Sequence, residues 1–209
     1  MPTTFVARAL AMALAVLAFT TYAADPPARM RVEGPFVLGA ADAPVTLVEF
    51  SDYECSFCQR YHMQAYERIK REFVDTGKVR YVVRDFPLPM HRHAVTAARA
   101  ARCAAEDQRF WEMRHALLAS EGTLNLDAIV ERGESLGLDT AKLRTCATST
   151  RFDNAIRRDL QDARDAGVSL TPSFVLGLSK GDAVEGVRLE GAQDFEYFEE
   201  RIRALLAAR

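Results

Sequence analysis

The sequence has no apolar run long enough to cross a bilayer. Its longest, residues 9–20, is about a dozen residues, whereas a spanning helix needs about 20. Neither sign of charge is in large surplus: 27 basic residues face 29 acidic ones. That balance argues against nucleic acid as the main partner. Lysine is scarce beside arginine, a bias read as codon usage rather than function. There is no internal repeat and no low-complexity segment. Cysteine is limited to Cys55, Cys58, Cys103 and Cys146. A structural zinc site usually needs two close pairs of Cys or His. Cys103 and Cys146 are far apart, and His62 could only be a third ligand beside Cys55 and Cys58, so no metal is expected.

Residues 1–23 carry the three parts of a secretory signal peptide. They have a positive end with Arg8, the apolar run, and small residues before Ala23, after which cleavage is expected. The remaining chain, roughly 186 residues, suits one domain or one domain with an insertion. Thiols of exported chains tend to oxidise, so an even cysteine count favours disulfides.

Residues 24–34 are polar with two prolines and read as a flexible N-terminal segment. Residues 35–38 suggest a short edge strand. Residues 45–50 are apolar and β-rich, broken only by Glu49, and predict a buried strand. From Ser56 the period changes. Cys58, Tyr61, Ala65, Ile69 and Phe73 recur at helical spacing, with Arg60, Glu67, Arg68 and Glu72 between them, until Gly77. A second strand is expected at 79–84, ended by Pro87 and Pro89. Residues 91–166 read as helices throughout. Strands return at 173–178 and 187–189, and a last helix follows Gly191. The order implies an α/β fold, formed by 35–90 and 167–209, with an all-helical insertion at 91–166.

Cys55 falls where a strand has ended and a helix begins. A helix N-terminus offers unpaired N–H groups and partial positive charge, which stabilise a thiolate and lower its pKa. A spacing of three puts Cys58 one turn on, on the same side. The expected arrangement is an exposed sulfur at Cys55 that attacks or is attacked, and a buried one at Cys58 that resolves the mixed disulfide. A bridge across one turn would constrain little loop, so a purely structural role is poorly served. Glu49 interrupts an apolar strand, and a buried carboxylate is costly without a partner or a task. One reading has it take the proton from Cys58; the other places it at an edge or in an ion pair with Arg80 or Arg84. Thr171 and Pro172 precede the third long strand at an X–Pro bond of the kind that is sometimes cis. Cys103 and Cys146, both in the helical block, are expected to form a structural disulfide, with a second redox relay as the alternative. His91, His93 and His115 are read as structural, and Trp111 as core or groove lining.

The run from Val45 to Cys58, with Glu49, Phe50, Ser51, Asp52, Tyr53, Glu54, Cys55, Ser56, Phe57 and Cys58, resembles the DsbA-like branch of the thioredoxin superfamily. So do the helical insertion, the stretch from Cys103 to His115 with Phe110 and Trp111, and the segment Gly167, Val168, Thr171, Pro172, Ser173, Phe174. The resemblance implies a thioredoxin-like fold, Cys55 as nucleophile, Cys58 as resolving cysteine, Glu49 as the buried acid, and Thr171–Pro172 as a cis-proline loop that binds substrate backbone. No cofactor beyond the Cys55–Cys58 disulfide is implied. Ser56 and Phe57 stand where the best-known DsbA has Pro and His, which implies a less acidic Cys55. Thr171 is the residue type of the isomerase branch. Few residues precede the first strand, which points to a monomer acting as a periplasmic dithiol oxidase. Its partners would be reduced exported proteins and a membrane protein that reoxidises it. A reductase or isomerase is the first alternative, a zinc-binding or chaperone-like module the second.

Overall fold

The computed structural model describes residues 28–32, 34–119 and 122–208. The expected signal peptide lies outside them. The strands are β1 (Ala28–Arg31), β2 (Val37–Leu38), β3 (Val45–Ser51), β4 (Val79–Asp85), β5 (Ser173–Lys180) and β6 (Ala183–Glu190). They form one sheet in the order β1-β6-β5-β3-β4-β2. β3 and β4 pair in parallel, and the other pairs are antiparallel. Every residue of β3 and β4 is buried, because both faces of the sheet centre are covered.

Residues 24–34 contain a strand where a flexible segment was expected. β1 pairs with β6, Met30 facing Val184. Met30 and Val32 point inward and are buried while Arg29 and Arg31 are exposed, the alternation of a strand with one face on a core. Two inward residues beside two prolines are too short a pattern to read by periodicity.

Helix α1 is continuous in four stretches: Ser56–Tyr61, the π-helical His62–Tyr66, Glu67–Ile69, and the π-helical Lys70–Val74. Its apolar positions Tyr61, Ala65, Ile69 and Phe73 recur every four residues, longer than the 3.6 of an α-helix. The wider π turns take up that excess, so all four are buried against the sheet. The widening also turns His62 and Tyr66 inward.

Between β4 and β5 the described residues form five α-helices, α2 (Ala94–Ala104), α3 (Phe110–Leu118), α4 (Leu126–Ser135), α5 (Thr140–Thr148) and α6 (Asp153–Asp165), and a 3-10 turn at Ala105–Asp107. Helix α7 (Phe195–Ala207) closes the fold. The alanine stripe of α2 is buried, and small side chains let α5 pack close against it. Cys103 of α2 and Cys146 of α5 are joined in a disulfide, 43 residues apart. Chain-entropy arithmetic gives such a loop about 4 kcal/mol, model-dependent. Replacing both with Ser should therefore lower stability to urea by about that amount and leave thiol exchange at Cys55 intact. Loss of exchange in the folded variant would mark the bond as a redox relay.

Alternation assigns the two faces of the sheet. Val45, Leu47 and Glu49 of β3, with Val79, Tyr81 and Val83 of β4, face the core shared with α1, α3 and α7. Val48, Phe50 and Val82 face the opposite core, with Ala163 of α6. Two arginines from the helical block reach the strands: Arg102 of α2 contacts Asp85 at 2.6 Å, and Arg114 of α3 contacts Glu49 at 2.6 Å.

Candidate active site

Cys55 is the N-cap residue of α1, in extended conformation (φ −75°, ψ 116°). Its thiol donates to the Thr171 carbonyl at 3.4 Å. The Thr171–Pro172 peptide bond is cis, so the loop before β5 stands against the cysteine pair. Cys58 is fully buried, and its sulfur accepts from the Asp52 backbone N–H at 3.5 Å. Cys55 is more enclosed than expected, at 5% exposure, because the cis-proline loop covers it. It still lines an open groove of about 530 Å³ with Phe57, Met90, His91 and Leu170. Phe57 (53% exposed) and Met90 (74%) present apolar surface there.

The two thiols are driven apart in acidity. The Cys55 pKa falls from 9.0 to about 5. Hydrogen bonding from the Cys58 thiol is the largest cause; burial opposes it; the Thr171 side chain and the Cys58 and Phe57 backbone lower it further. No histidine stands at position 57, and the groups that lower Cys55 are the Cys58 thiol, Thr171 and the backbone of Phe57 and Cys58. Burial pushes the Cys58 thiol up, reinforced by the hydrogen bond and charge of Cys55. Alkylation of reduced Cys55, followed by mass spectrometry across pH, should reach half its maximal rate near pH 5. Cys58→Ala, which removes the largest donor, should move that midpoint up further than Thr171→Val. An unmodified midpoint near the ordinary thiol value would refute this geometry.

Glu49 does not pair with Arg80 or Arg84. Those side chains alternate to the opposite face of β4, where Arg80 binds Thr46 and Arg84 binds Asp162. Glu49 instead accepts from Arg114 and from the Tyr81 hydroxyl, and Tyr61 lies 3.3 Å from the Tyr81 oxygen. Glu49 is central in the sheet, not at an edge.

Sequence reasoning missed Asp52, Arg102 and Arg114. Buried Asp52 accepts from the Leu88 backbone and His91 Nδ1, at 2.6 and 2.8 Å, and so fixes the groove wall containing His91. Arg114 shares a helix face with Phe110 and Leu117, a cation among apolar positions, and that was the available signal. Its NH1 donates to His62 Nδ1 at 3.1 Å, and His62 Nε2 lies 3.0 Å from His115 Nδ1. Burial and the Arg114 charge push the His62 pKa down to about 2, so the ring is neutral. His62, Glu67 and His115 are the one group of potential metal ligands among the described residues, their atoms within 4.8 Å. With Nδ1 accepting from Arg114, the neutral His62 ring donates through Nε2 to His115 Nδ1. His93 gives a backbone N–H to Glu54. Trp111 packs edge-on against Phe110.

A Cys-x-x-Cys pair at a strand-to-helix junction, one thiol acidic and the other sealed, facing a cis-proline loop, defines a thiol–disulfide oxidoreductase. The thioredoxin family model matches residues 31–202. DsbA2 of Pseudomonas aeruginosa is 30% identical with a TM-score of 0.65, covering 83% of this chain and 97% of that one. Wolbachia pipientis alpha-DsbA1 is 23% identical with a TM-score of 0.74, covering 82% and 90%. A Na(+)/H(+) antiporter, NhaA 3 of Salinispora tropica, is 38% identical over 149 residues, which are 71% of this chain and 22% of that protein. The chain spans about a quarter of the length of the first curated relatives it matches. Among the described residues no helix is long and apolar enough to cross a membrane. The chain belongs to the thioredoxin family, in its DsbA-like branch of thiol–disulfide oxidoreductases.

Proposed function

We propose that this protein is a periplasmic dithiol oxidase that passes its Cys55–Cys58 disulfide to reduced exported proteins. The observation that carries the reading is the placement of Cys55 at the N-cap of α1 against the Thr171 carbonyl with Cys58 sealed behind it, a geometry that lowers the Cys55 pKa and raises that of Cys58. Lowering a thiol from 9.0 to about 5 raises its thiolate fraction at pH 7 by about 100-fold, while intrinsic nucleophilicity falls by about 40- to 100-fold at a Brønsted slope of 0.4–0.5. As an attacker Cys55 gains little. As a leaving group it gains outright, because low-pKa thiols leave faster. The asymmetry favours reduction of the protein's own disulfide, and hence oxidation of its substrate.

In the first step a substrate thiolate attacks Cys55, the sulfur that lines the groove. Attack at Cys55 would expel the Cys58 thiolate, which burial makes costly; its protonation completes that step. The mixed disulfide at Cys55 is then attacked by a second substrate thiolate. The substrate disulfide forms and Cys55 leaves as thiolate, held by the Phe57 and Cys58 backbone and by the Cys58 thiol. The apolar groove suits an unfolded chain, and the Thr171–Pro172 loop offers backbone contacts beside the sulfur. Residues 1–23 support export. A membrane thiol oxidant would restore the disulfide, and the protein would act as a monomer without further cofactor.

The test is the equilibrium of Cys55–Cys58 with glutathione. An oxidase should have a potential above about −200 mV, while a value near −270 mV, that of thioredoxin, would make the protein a reductase.

A further inference from the structure

The loop after β4 is tied to the cysteine turn by side chains that the exchange itself does not use. Asp52 Oδ1 accepts from the Glu54 N–H at 2.8 Å. Its Oδ2 accepts from the Leu88 N–H at 2.6 Å and from His91 Nδ1 at 2.8 Å. The Glu54 carboxylate takes the His93 N–H. The loop also closes on itself, the His91 N–H donating to the Leu88 carbonyl at 3.0 Å. A wall held at so many points is set before a ligand arrives, and a preorganised contact loses little entropy when it is used.

Strand order puts this wall opposite the cis-proline loop. β3 lies between β5 and β4. Phe50 of β3 pairs with Ser173 at the start of β5, and Ser51 pairs with Asp85 at the end of β4. The chain entering β5 and the chain leaving β4 thus flank the Asp52–Cys55 turn from two sides. Both line the groove that holds Cys55: Leu170 and Thr171 from one side, Leu88, Met90 and His91 from the other. A polypeptide that presents its cysteine to Cys55 lies between them.

His91 contributes a polar ring to an otherwise apolar wall. Its side chain is 25% exposed, while that of Asp52 is sealed at 0%. A carboxylate only accepts hydrogen bonds, so Nδ1 carries the proton. In the uncharged ring Nε2 then holds the lone pair, and no described residue bonds to it. Phe57, Met90 and Leu170 make the groove apolar around this atom. A peptide amide that loses its water among such side chains needs a partner. The main chain is also the part that unfolded clients of any sequence share.

We propose that His91, oriented by Asp52, is a substrate-binding residue whose Nε2 accepts a main-chain N–H of the client polypeptide, on the side of Cys55 opposite the Thr171–Pro172 loop. This deepens the exchange reading given above and rests on it. The contact strengthens binding of polypeptides and gives a small dithiol nothing, so it separates protein clients from low-molecular-weight thiols.

The test compares reduction of the Cys55–Cys58 disulfide in the full chain by a dithiol peptide and by dithiothreitol. His91→Asn keeps an N–H donor near the Nδ1 position and removes Nε2. It should lower the rate constant for the peptide, relative to that for dithiothreitol, by about fivefold, the usual net contribution of one hydrogen bond. Methylating the peptide's amide nitrogens one at a time beside its cysteines locates the contact. At one amide, methylation should slow the wild type by a similar factor and leave His91→Asn no slower. Asp52→Asn, which turns an N–H toward His91 or Leu88, should abolish the same methylation effect, whereas a merely structural loss would leave it in place. An unchanged ratio in His91→Asn, an equal fall with both dithiols, or the lack of any methylation effect that His91→Asn removes would overturn the proposal. If the wild-type disulfide oxidises neither dithiol, the oxidase reading fails instead. The same ratio and methylation scan, run with the reduced protein on the disulfide forms of both reagents, then still decide the role of His91.

Discussion

Cys55→Ala should reduce oxidation of a dithiol peptide to the rate seen without protein. The remaining thiol cannot take over. Cys58 is fully buried, its sulfur is bound to the Asp52 N–H, and burial holds it protonated across the neutral range. The double variant lacking both cysteines should therefore be no worse than Cys55→Ala alone, the non-additivity expected of residues that act as a unit. Cys58→Ala should behave differently. Its lone groove thiol can attack the disulfide of oxidised glutathione, forming a mixed disulfide and releasing one glutathione thiol, and with no neighbour to resolve it that adduct should accumulate and be visible by mass spectrometry. Turnover by Cys55→Ala together with adducts on Cys58 would exchange the two roles and refute the assignment.

Arg114→Met should destabilise the protein by about 3–5 kcal/mol, the usual cost of leaving a buried charge without its partner. That is a large share of the roughly 5–15 kcal/mol that holds a domain together. Glu49→Leu should cost a similar amount by stranding Arg114. Glu49→Leu/Arg114→Met should lose far less than the sum of the two, since replacing both members of a buried pair by apolar groups is often neutral or better. Urea unfolding of the three variants measures the coupling directly. Additive losses would show that the 2.6 Å contact carries no shared energy and that the helical block is tied to the sheet by packing alone. Arg102 gives a comparison, since its bonds to Asp85 and Asp159 tie α2 to β4 and α6 in the same way.

The parts of the fold that were legible are those whose signal is local. β3, β4 and the first five residues of β5 stand out as short β-rich runs because both of their faces are buried. The buried face of α1 was read correctly, although its spacing of four is realised through π-helical turns. The inward turn of His62 was lost with that detail. β1 was missed because a strand at the sheet edge needs only two buried residues. The Arg80 and Arg84 pairing was wrong for a reason already present in the sequence. Strand alternation puts both on the face opposite Tyr81 and Val83, and parallel pairing of β3 with β4 puts Glu49 on the Tyr81 side.

Sequence alone determined the chemistry: two cysteines three apart, placed by a strand that ends and a helix that starts, with a Thr–Pro step before the next long strand. Those features lie within a few residues of one another, where propensity and periodicity act. Tertiary structure decided the environment. Thr171 reaches Cys55 across 116 positions, and Arg114 reaches Glu49 across 65. Contacts of that span depend on strand order, face parity and the docking of the helical block. These set which thiol is acidic, which is sealed, and which charge stands behind them.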